Sequence, residues 1–326
     1  MKILLLASQP ERTTRLQMFK GSLKELGYDV VVPKFESRNW IKISGLAEQY
    51  IKKEKPDVVH VFNVPDVIYS RLPELKGQFF KKLIYDYRSP WGLELQMNIG
   101  LPGKIVAEHF ERKLAINSDL ITTVNKPLGE KVKAYIGNSQ TELYEIPNYP
   151  WKSFVNNDKD LKGEEAITFL GRICEREGIK SLLNIAKKLP DEKFRIVGDG
   201  PFSGWYLAKK SQNVEFLGWQ PHENIPSIIK KAKMCLIPFK ESMLTTYTTD
   251  KSVWKLNEYL NLGKTVIASG ISKEEERKNL LIVKSSELEG AISEYLDKKP
   301  EKLNPEDYRF WESNTKKIKE IYEKIL

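Results

Sequence analysis

Short runs of apolar and β-branched residues alternate with amphipathic segments along most of this chain, and that alternation constrains the fold more than any other feature. Ile3–Ala7 and Tyr28–Val32 are predicted to be strands. The segment between them carries apolar residues on one face of a helix, namely Leu16, Phe19, Leu23 and Leu26. A strand, a helix and a second strand in this order form a βαβ unit with parallel strands. The sequence therefore predicts an α/β fold that begins with a doubly wound parallel sheet.

The same alternation continues to the C-terminus. Further strands are predicted within Asp57–Phe62, Leu83–Asp86, Ser118–Asn125, Ala166–Arg172, Phe194–Val197, Val214–Trp219, Ala232–Pro238 and Thr265–Ile267. Further helices are predicted within Ile43–Lys53, Leu93–Leu114 with an interruption at Gly100–Gly103, Pro127–Tyr135, Ile179–Leu189 and Lys316–Leu326. Trp151–Glu165 is polar and is the best linker candidate. We therefore predict domains at residues 1–150 and 166–300, followed by a C-terminal segment at 301–326.

Length and charge limit the classes of protein to consider. A chain of 326 residues is long enough for two domains with their own cores. The formal net charge of +9 is spread over both halves of the chain, and no motif that reads DNA or RNA is visible. This distribution argues against a nucleic-acid partner and is compatible with anionic small molecules or an anionic membrane surface. No apolar run approaches the ~20 residues of a membrane span, and the apolar run at Met1–Ala7 is too short for a signal peptide. We expect a cytoplasmic protein.

The segment Thr248–Gly270 carries the strongest functional pattern. Its first residues favour helix N-caps, so a helix is predicted to start among Thr249, Asp250 and Ser252. Lys255 and Glu258 then lie three residues apart on one side of that helix. A helix N-terminus with a lysine suits a phosphate, and a carboxylate further along suits a pair of sugar hydroxyls. The pattern indicates a nucleotide-sugar site; the alternative is that Asp250 only caps the helix and Glu258 pairs with Lys255.

This segment resembles the C-terminal signature of the family 4 (group 1) retaining glycosyltransferases. Their motif K-L-x-E-Y-L-x-x-G-K-x-V-I-A is matched by Lys255–Leu260 and Gly263–Ala268. The resemblance implies the GT-B fold, in which two Rossmann-like domains with parallel sheets face a cleft and a C-terminal helix crosses back to the N-terminal domain. It is dense from Phe169 to Gly270 and looser before Ile146.

The resemblance also implies a donor site in the second domain. Glu258 would accept the ribose hydroxyls, while Asp250, where the family usually has glutamate, would orient the donor sugar. The leaving diphosphate would be stabilised by cations, namely Arg172 and Lys255 with help from Lys251. Glycines in the family's Y-x-G-R and I-V-G-D-G-P elements, here Gly171, Gly198 and Gly200, would let the backbone approach the ligand. One departure is Glu177, which stands where the family has a lysine and would repel a diphosphate unless Arg176 substitutes.

The first domain offers candidates for the acceptor side. Arg12, Thr13 and Arg15 follow the first strand, and ligands gather where parallel strands end; a solvated loop is the equal alternative. Asp86 and Arg88 are the polar residues of the loop after Leu83–Asp86, which in the family often carries a histidine. His60 lies in an apolar strand and is predicted to be a core histidine. Asp158–Asp160 formally matches an Asp-x-Asp metal motif, which we attribute to chance.

We therefore predict an enzyme that moves a sugar from a nucleoside-diphosphate sugar to an acceptor hydroxyl, on a glycan or lipid-linked glycan. The resemblance implies retention of configuration and no need for a metal or a cofactor. Peripheral contact with the inner face of a membrane is compatible with the charge. Two alternatives stay open: a catalytically silent nucleotide-sugar binder, and a sugar-nucleotide epimerase on the same fold. The sequence leaves the nucleotide, the sugar and the acceptor undetermined.

Overall fold

The computed structural model describes residues 1–156 and 165–325, which fall into two compact units. Unit 1 comprises Met1–Pro147 and Trp311–Leu326, and unit 2 comprises Asn148–Phe310. Each unit holds one six-stranded sheet in which every pair of neighbouring strands runs parallel. The predicted fold class, two α/β domains with parallel sheets, is confirmed.

The sheet of unit 1 has the strand order β2-β1-β3-β4-β5-β6. Its strands are β1 (Lys2–Leu6), β2 (Asp29–Val31), β3 (Val58–Phe62), β4 (Lys82–Tyr87), β5 (Leu120–Thr123) and β6 (Glu142–Glu145). Its helices are α1 (Thr14–Glu25), α2 (Trp40–Glu54), α3 (Leu72–Leu75), α4 (Trp91–Ile99), α5 (Leu101–Asn117) and α6 (Lys126–Ile136). The predicted interruption lies at Gly100, whose φ of 80° ends α4 and starts α5.

The sheet of unit 2 has the order β12-β11-β10-β7-β8-β9. Its strands are β7 (Ala166–Leu170), β8 (Phe194–Val197), β9 (Val214–Gly218), β10 (Ala232–Pro238), β11 (Val266–Ser269) and β12 (Leu280–Ile282). Its helices are α7 (Lys152–Val155), α8 (Ile179–Lys188), α9 (Ser203–Leu207), α10 (Ile225–Lys230), α11 (Trp254–Asn261) and α12 (Leu288–Tyr295). The sequence did not predict the short edge strands β6 and β12.

Alternating side chains of the unit 2 strands build a core on each face of the sheet. Met234 and Leu236 of β10 pack with residues of α8 and α12. Cys235 and Ile237 point to the opposite face and pack with residues of α10 and α11. Helices therefore cover both faces, as a parallel sheet requires.

The C-terminal helix α13 (Glu312–Lys324) belongs to unit 1, as predicted. Trp311 Nε1 donates a hydrogen bond to Ser22 Oγ of α1 at 2.9 Å, and Tyr322 Oη lies 2.7 Å from Nδ1 of His60 on β3. His60 is fully buried and stacks on Phe62, so the prediction of a core histidine is confirmed. Burial lowers the pKa of His60 well below 6.5, which keeps the imidazole neutral.

Two helix starts differ from the predicted positions. α2 begins at Trp40 because the side chain of Asn39 accepts hydrogen bonds from the backbone N–H groups of Ile41 and Lys42. α11 begins only at Trp254, after an N-cap at Val253.

The predicted linker Trp151–Glu165 is described only in part. Within Trp151–Glu165 the short helix α7 is present, whereas Asp158–Asp160 lie outside the described residues. None of the helices in residues 1–156 and 165–325 combines the length and apolarity that crossing a bilayer would need.

Candidate functional site

The loops after β7 and β8 meet at the carboxyl ends of these strands. Gly171 N–H donates to the Val197 carbonyl at 3.0 Å, and Ile173 N–H donates to the Asp199 carbonyl at 3.0 Å. A Cβ atom on Gly198 would lie 1.9 Å from the Gly171 carbonyl oxygen, so this close approach requires glycine. The two loops form one wall of a cavity of about 340 Å³.

Helix α11 forms another wall. The hydroxyl of its buried Tyr259 accepts a hydrogen bond from Leu170 N–H at 2.9 Å, which fixes the helix to the end of β7. Lys255 and Glu258 of the same helix line the cavity. The complete lining is Leu170, Gly171, Arg172, Val197, Gly198, Asp199, Trp219, Gln220, Ile225, Lys255 and Glu258. Five predicted donor-site residues, namely Gly171, Arg172, Gly198, Lys255 and Glu258, therefore meet at one cavity.

The cavity has two cationic side chains in different states. Lys255 Nζ forms an ion pair with the carboxylate of Glu177 and lies 4.7 Å from the ring centres of Phe169 and Phe239. Arg172 is exposed and makes no side-chain hydrogen bond or ion pair with any residue of the described ranges. It also lines a second cavity of about 170 Å³ together with Arg176 and Glu177. A free guanidinium and a lysine at one opening can bind an oxyanion.

Glu258 has a partner that the sequence did not indicate. Its Oε1 lies 3.2 Å from Nε2 of His222, a residue of the 3-10 turn at His222–Asn224. Lys255 pairs with Glu177 instead, so the alternative pairing of Glu258 with Lys255 is wrong. Glu258 is only 14% exposed, whereas His222 is 74% exposed. The hydrogen bond to Glu258 raises the pKa of His222 above 6.5. Nothing in the spacing of these residues points to the contact, which depends on how β9 and α11 are placed.

Asp250 occupies a different environment from the cavity-lining residues. Its side chain is fully buried, and Oδ1 accepts a hydrogen bond from Glu274 N–H at 2.7 Å. Oδ2 is buried and accepts no hydrogen bond from the described residues, and burial raises the pKa of this carboxyl group. Asp250 therefore is not among the lining residues of the 340 Å³ cavity.

Two other predicted site residues also lie outside that lining. Lys251 Nζ lies 3.2 Å from Glu275 Oε1 and 3.7 Å from Glu274 Oε2. Gly200 follows β8, and a Cβ atom there would lie 2.2 Å from the Ile173 carbonyl oxygen. Gly200 thus permits the contact between the two loops rather than lining the cavity itself.

Asn257 of α11, which the sequence analysis did not select, holds the backbone of this region together. Its buried Nδ2 donates to the carbonyls of Asp250 at 2.8 Å and Asn148 at 3.0 Å. Its Oδ1 accepts from Arg277 at 3.1 Å. An asparagine between Leu256 and Glu258 has no distinctive sequence signal, so only the structure identifies it.

In unit 1, the structure corrects the prediction that Asp86 belongs to the acceptor side. Asp86 is fully buried, and both its oxygens accept from Nε of the equally buried Arg15, at 2.9 and 2.8 Å. Thr122 Oγ1 donates a further hydrogen bond at 2.7 Å. Because every oxygen of Asp86 is engaged inside the domain, this ion pair is structural and offers no surface to an acceptor.

The other three acceptor-side candidates differ in accessibility. Thr13 is buried and its hydroxyl donates to the Gln9 carbonyl at 2.8 Å. Arg88 is half-buried, and its Nε donates to the backbone carbonyl of Asn63. Arg12 is exposed and lines a separate cavity of about 320 Å³ in unit 1. Among the described residues, no group of three or more His, Cys, Asp or Glu side chains is arranged to hold a metal ion.

Comparison with known proteins identifies a family match in the part of the chain that forms this cavity. Residues 164–298, which contain the 340 Å³ cavity, match the family model described as Glycosyl transferases group 1. Among curated proteins, none matches this sequence. The match covers 135 of the 326 residues, all of them in unit 2.

Several solved structures share the fold over nearly the whole chain. Sucrose-phosphate synthase from Thermosynechococcus elongatus is 14% identical with a TM-score of 0.73, covering 99% of this chain and 98% of its own. HepE of Anabaena, solved in complex with UDP and glucose, is 14% identical with a TM-score of 0.60, covering 99% of each chain. A UDP-N-acetylglucosamine 2-epimerase is 12% identical with a TM-score of 0.56, covering 91% of this chain and 88% of its own. At these identities the likeness establishes the GT-B fold alone.

Proposed function

We propose that this chain is a glycosyltransferase that takes its sugar from a nucleoside-diphosphate sugar bound in unit 2. The observation that carries the proposal is that Arg172, Lys255 and Glu258 line one cavity at the carboxyl ends of β7 and β8. The two cations suit a diphosphate, and the carboxylate suits the ribose hydroxyls. The complex of HepE with UDP and glucose is consistent with this assignment.

In the proposed reaction the bond between the donor sugar and the diphosphate breaks, and its electron pair leaves with the diphosphate, which gains negative charge. The acceptor oxygen forms the new bond to the same sugar carbon and releases its proton to solvent. Arg172 and Lys255 would stabilise that charge more strongly in the transition state than in the bound donor. The proposal includes retention of configuration, as in family 4, and no metal or cofactor. Asp250 would orient the donor sugar only if its carboxylate became accessible, because it is buried in this structure.

Nucleotide binding is the first test. Calorimetric titration with UDP, GDP and ADP should identify one nucleotide with a clear preference. Glu258→Ala should lower the affinity for that nucleotide by about tenfold or more, because the two ribose hydroxyls lose a charged acceptor. Glu289→Ala removes an exposed carboxylate paired with Lys188 on another helix and should leave binding unchanged. Equal affinity of the Glu258→Ala variant and the wild-type protein would refute the assigned role.

Turnover separates the proposal from its alternatives. A glycosyltransferase releases nucleoside diphosphate slowly from the donor alone and faster with acceptor, and the anomeric configuration of the product reports retention. An epimerase converts the donor without any acceptor; the shared fold of the 2-epimerase is the observation that keeps this second candidate. A silent binder binds nucleotide and releases nothing.

For the setting of the reaction, we propose a cytoplasmic enzyme that contacts a membrane surface and acts on a glycan or lipid-linked glycan. Helices α4 and α5 expose large apolar side chains around Gly100: Met97, Ile99, Leu101, Ile105 and Val106. Leu101 and Ile105 lie one turn apart on α5, and Arg112 follows further along the same helix. An exposed apolar helix face near basic residues suits the headgroup region of a bilayer.

A further inference from the structure

The 320 Å³ cavity of unit 1 lies where two neighbouring strands end. β1 and β2 pair in parallel, with Lys2 opposite Asp29 and Leu4 opposite Val31. The loops after both strands line the cavity with Gln9, Pro10, Glu11, Arg12, Lys34, Phe35, Glu36, Ser37 and Arg38. Ligands of parallel sheets collect at such carboxyl edges, so this position is a candidate for binding.

Two charged side chains of this cavity pair with each other, and three do not form an ion pair with a described residue. Lys34 and Glu11 form an ion pair at 3.3 Å, which leaves Arg12, Arg38 and Glu36 as the remaining charges. All three are exposed, and none has a side-chain hydrogen bond or ion pair with a residue in 1–156 or 165–325. Two guanidinium groups against one carboxylate give the cavity a net preference for anions.

The backbone next to Arg12 adds to that preference. Helix α1 starts at Thr14, and its N-cap residue Thr13 makes no side-chain hydrogen bond to the helix. The Thr13 hydroxyl instead donates to the Gln9 carbonyl at 2.8 Å. The positive end of a twelve-residue helix therefore lies beside the cavity without a side-chain cap.

The cavity also has an apolar part. Phe35 is half-buried, with its ring 6.2 Å from that of Tyr50 in an edge-to-face arrangement, and Pro10 is buried. These side chains can contact the carbon skeleton of an organic ligand. The lining as a whole suits an anionic group carried on a sugar or another organic body.

We propose that unit 1 binds an acceptor that carries an oxyanion, a phosphate ester or a carboxylate, and that Arg12 and Arg38 hold this group in the cavity formed by the loops after β1 and β2. This inference rests on the proposed glycosyl transfer and specifies the acceptor's chemistry. Glu36 opposes the anion and reduces its affinity. Phosphate and carboxylate share the chemistry that guanidinium groups recognise, so the experiment must distinguish them.

The test uses the full chain saturated with the nucleotide that binds best, so that the unit 2 cavity is filled. Calorimetric titrations with glucose 6-phosphate, glucuronate and glucose should show binding of one or both anionic sugars and no binding of glucose. The anionic sugar that binds more tightly identifies the favoured group. Absence of binding by both anionic sugars overturns the proposal.

Variants assign the binding to the cavity. The double variant Arg12→Gln/Arg38→Gln should lower the affinity for the anionic sugar by about tenfold or more. Glu36→Gln should raise this affinity several-fold because a repulsive charge is removed. The control Arg71→Gln removes an exposed arginine of unit 1 that pairs with Glu48 and should change nothing. Unchanged affinity in the double variant, with unchanged thermal midpoint, contradicts the proposal.

Nucleotide affinity measured in the same variants keeps the two proposals apart. The Arg12 and Arg38 substitutions lie in unit 1 and should leave nucleotide binding in unit 2 unaltered. Loss of anion binding with intact nucleotide binding supports this inference, whereas failure of any nucleotide to bind the wild-type protein refutes the proposed function instead.

Discussion

Lys255 forms an ion pair with Glu177 directly above Gly171. A Cβ atom on Gly171 would lie 2.6 Å from Lys255 Nζ and 2.9 Å from Glu177 Oε2, so a side chain at residue 171 would displace the ion pair from this position. Glu177 stands where the family has a lysine, and a carboxylate there would repel a diphosphate. The ion pair neutralises that carboxylate but also engages Lys255, a cation that the proposed diphosphate site would use. Of the two cations that line the cavity, Arg172 is the one that forms no ion pair with another described residue.

Glu177→Gln should therefore raise the affinity for the preferred nucleoside diphosphate. The substitution removes a repulsive charge and releases Lys255, and a several-fold gain is expected, on the order of 1 kcal/mol. Calorimetric titration measures the change. Glu175→Gln is a matched control, since Glu175 lies in the same loop and pairs with Lys180 at 2.9 Å. A loss of affinity in Glu177→Gln would mean that the carboxylate holds Lys255 in its binding position.

The contact between His222 and Glu258 gives a pH-dependent signal at the cavity. Because the hydrogen bond to Glu258 raises the pKa of His222 above 6.5, Glu258→Gln should lower that pKa towards 6.5. An NMR titration of the imidazole resonances would measure this change, with His60 as an internal reference that stays neutral because of its burial. An unchanged His222 pKa in the variant would show that the two side chains do not interact in solution.

Two buried carboxyl groups, those of Glu111 on α5 and of Asp66, should make the stability of unit 1 depend on pH. Burial raises the pKa of Glu111 from 4.5 to about 7, and its oxygens accept hydrogen bonds from Tyr135 Oη at 2.7 Å and Gly92 N–H at 3.2 Å. Burial also raises the pKa of Asp66 well above 3.8, while Asp66 accepts a hydrogen bond from Tyr85. In both cases the folded state holds a proton that the unfolded chain releases.

The free energy of unfolding should therefore fall as pH rises from about 4.5 through about 7. Glu111 contributes on the order of 3 kcal/mol to this fall, at about 1.4 kcal/mol per pKa unit. Urea unfolding at pH 5, 6, 7 and 8 would measure the slope. Glu111→Gln should reduce it, with the contribution of Asp66 remaining, whereas Glu130→Gln on the exposed face of α6 should not change it. A wild-type protein with no slope in this range would contradict the assignment.

Membrane contact through α4 and α5 can be tested with vesicles. Leu101 and Ile105 are 58% and 62% exposed, so Leu101→Ser/Ile105→Ser should cost little stability. The variant should reduce cosedimentation with phosphatidylglycerol vesicles by about tenfold or more, since two apolar side chains no longer enter the interface. Phe202→Ser/Trp205→Ser is the control, because these residues of unit 2 are similarly exposed, at 67% and 53%. Equal loss in both double variants would point to unspecific adsorption.

The sequence predicted the architecture well because hydrophobic periodicity is a local property. The buried strands β3, β7 and β10 are mostly apolar, and Gly100 interrupts the α4–α5 segment where expected. β6 and β12 were not predicted because they are short edge strands of four and three residues that are only partly buried. β6 reads Glu-Leu-Tyr-Glu, which lacks the apolar pattern of a central strand, and β12 is apolar but only three residues long.

The contacts of the candidate site were less predictable, since they depend on segments that are distant in the chain. Lys255 and Glu258 are one helical turn apart, yet each pairs with a residue from another loop, Glu177 and His222. The predicted helix start at Thr249–Ser252 is wrong because Thr249 N–H donates to Ser252 Oγ at 2.8 Å and Asp250 accepts from Glu274. One local hydrogen bond and one to a distant segment there engage the groups that a helix N-terminus would otherwise use.

The place of α13 in unit 1 has a consequence for synthesis on the ribosome. Phe19, His60 and Ser22 complete their contacts only with Trp311 and Tyr322, which emerge after all of unit 2. The apolar surface of the nascent N-terminal portion therefore stays incomplete until translation has passed residue 322. A premature stop before Trp311 would leave that surface uncovered and open to chaperones and proteases, even though every strand of the first sheet is already present.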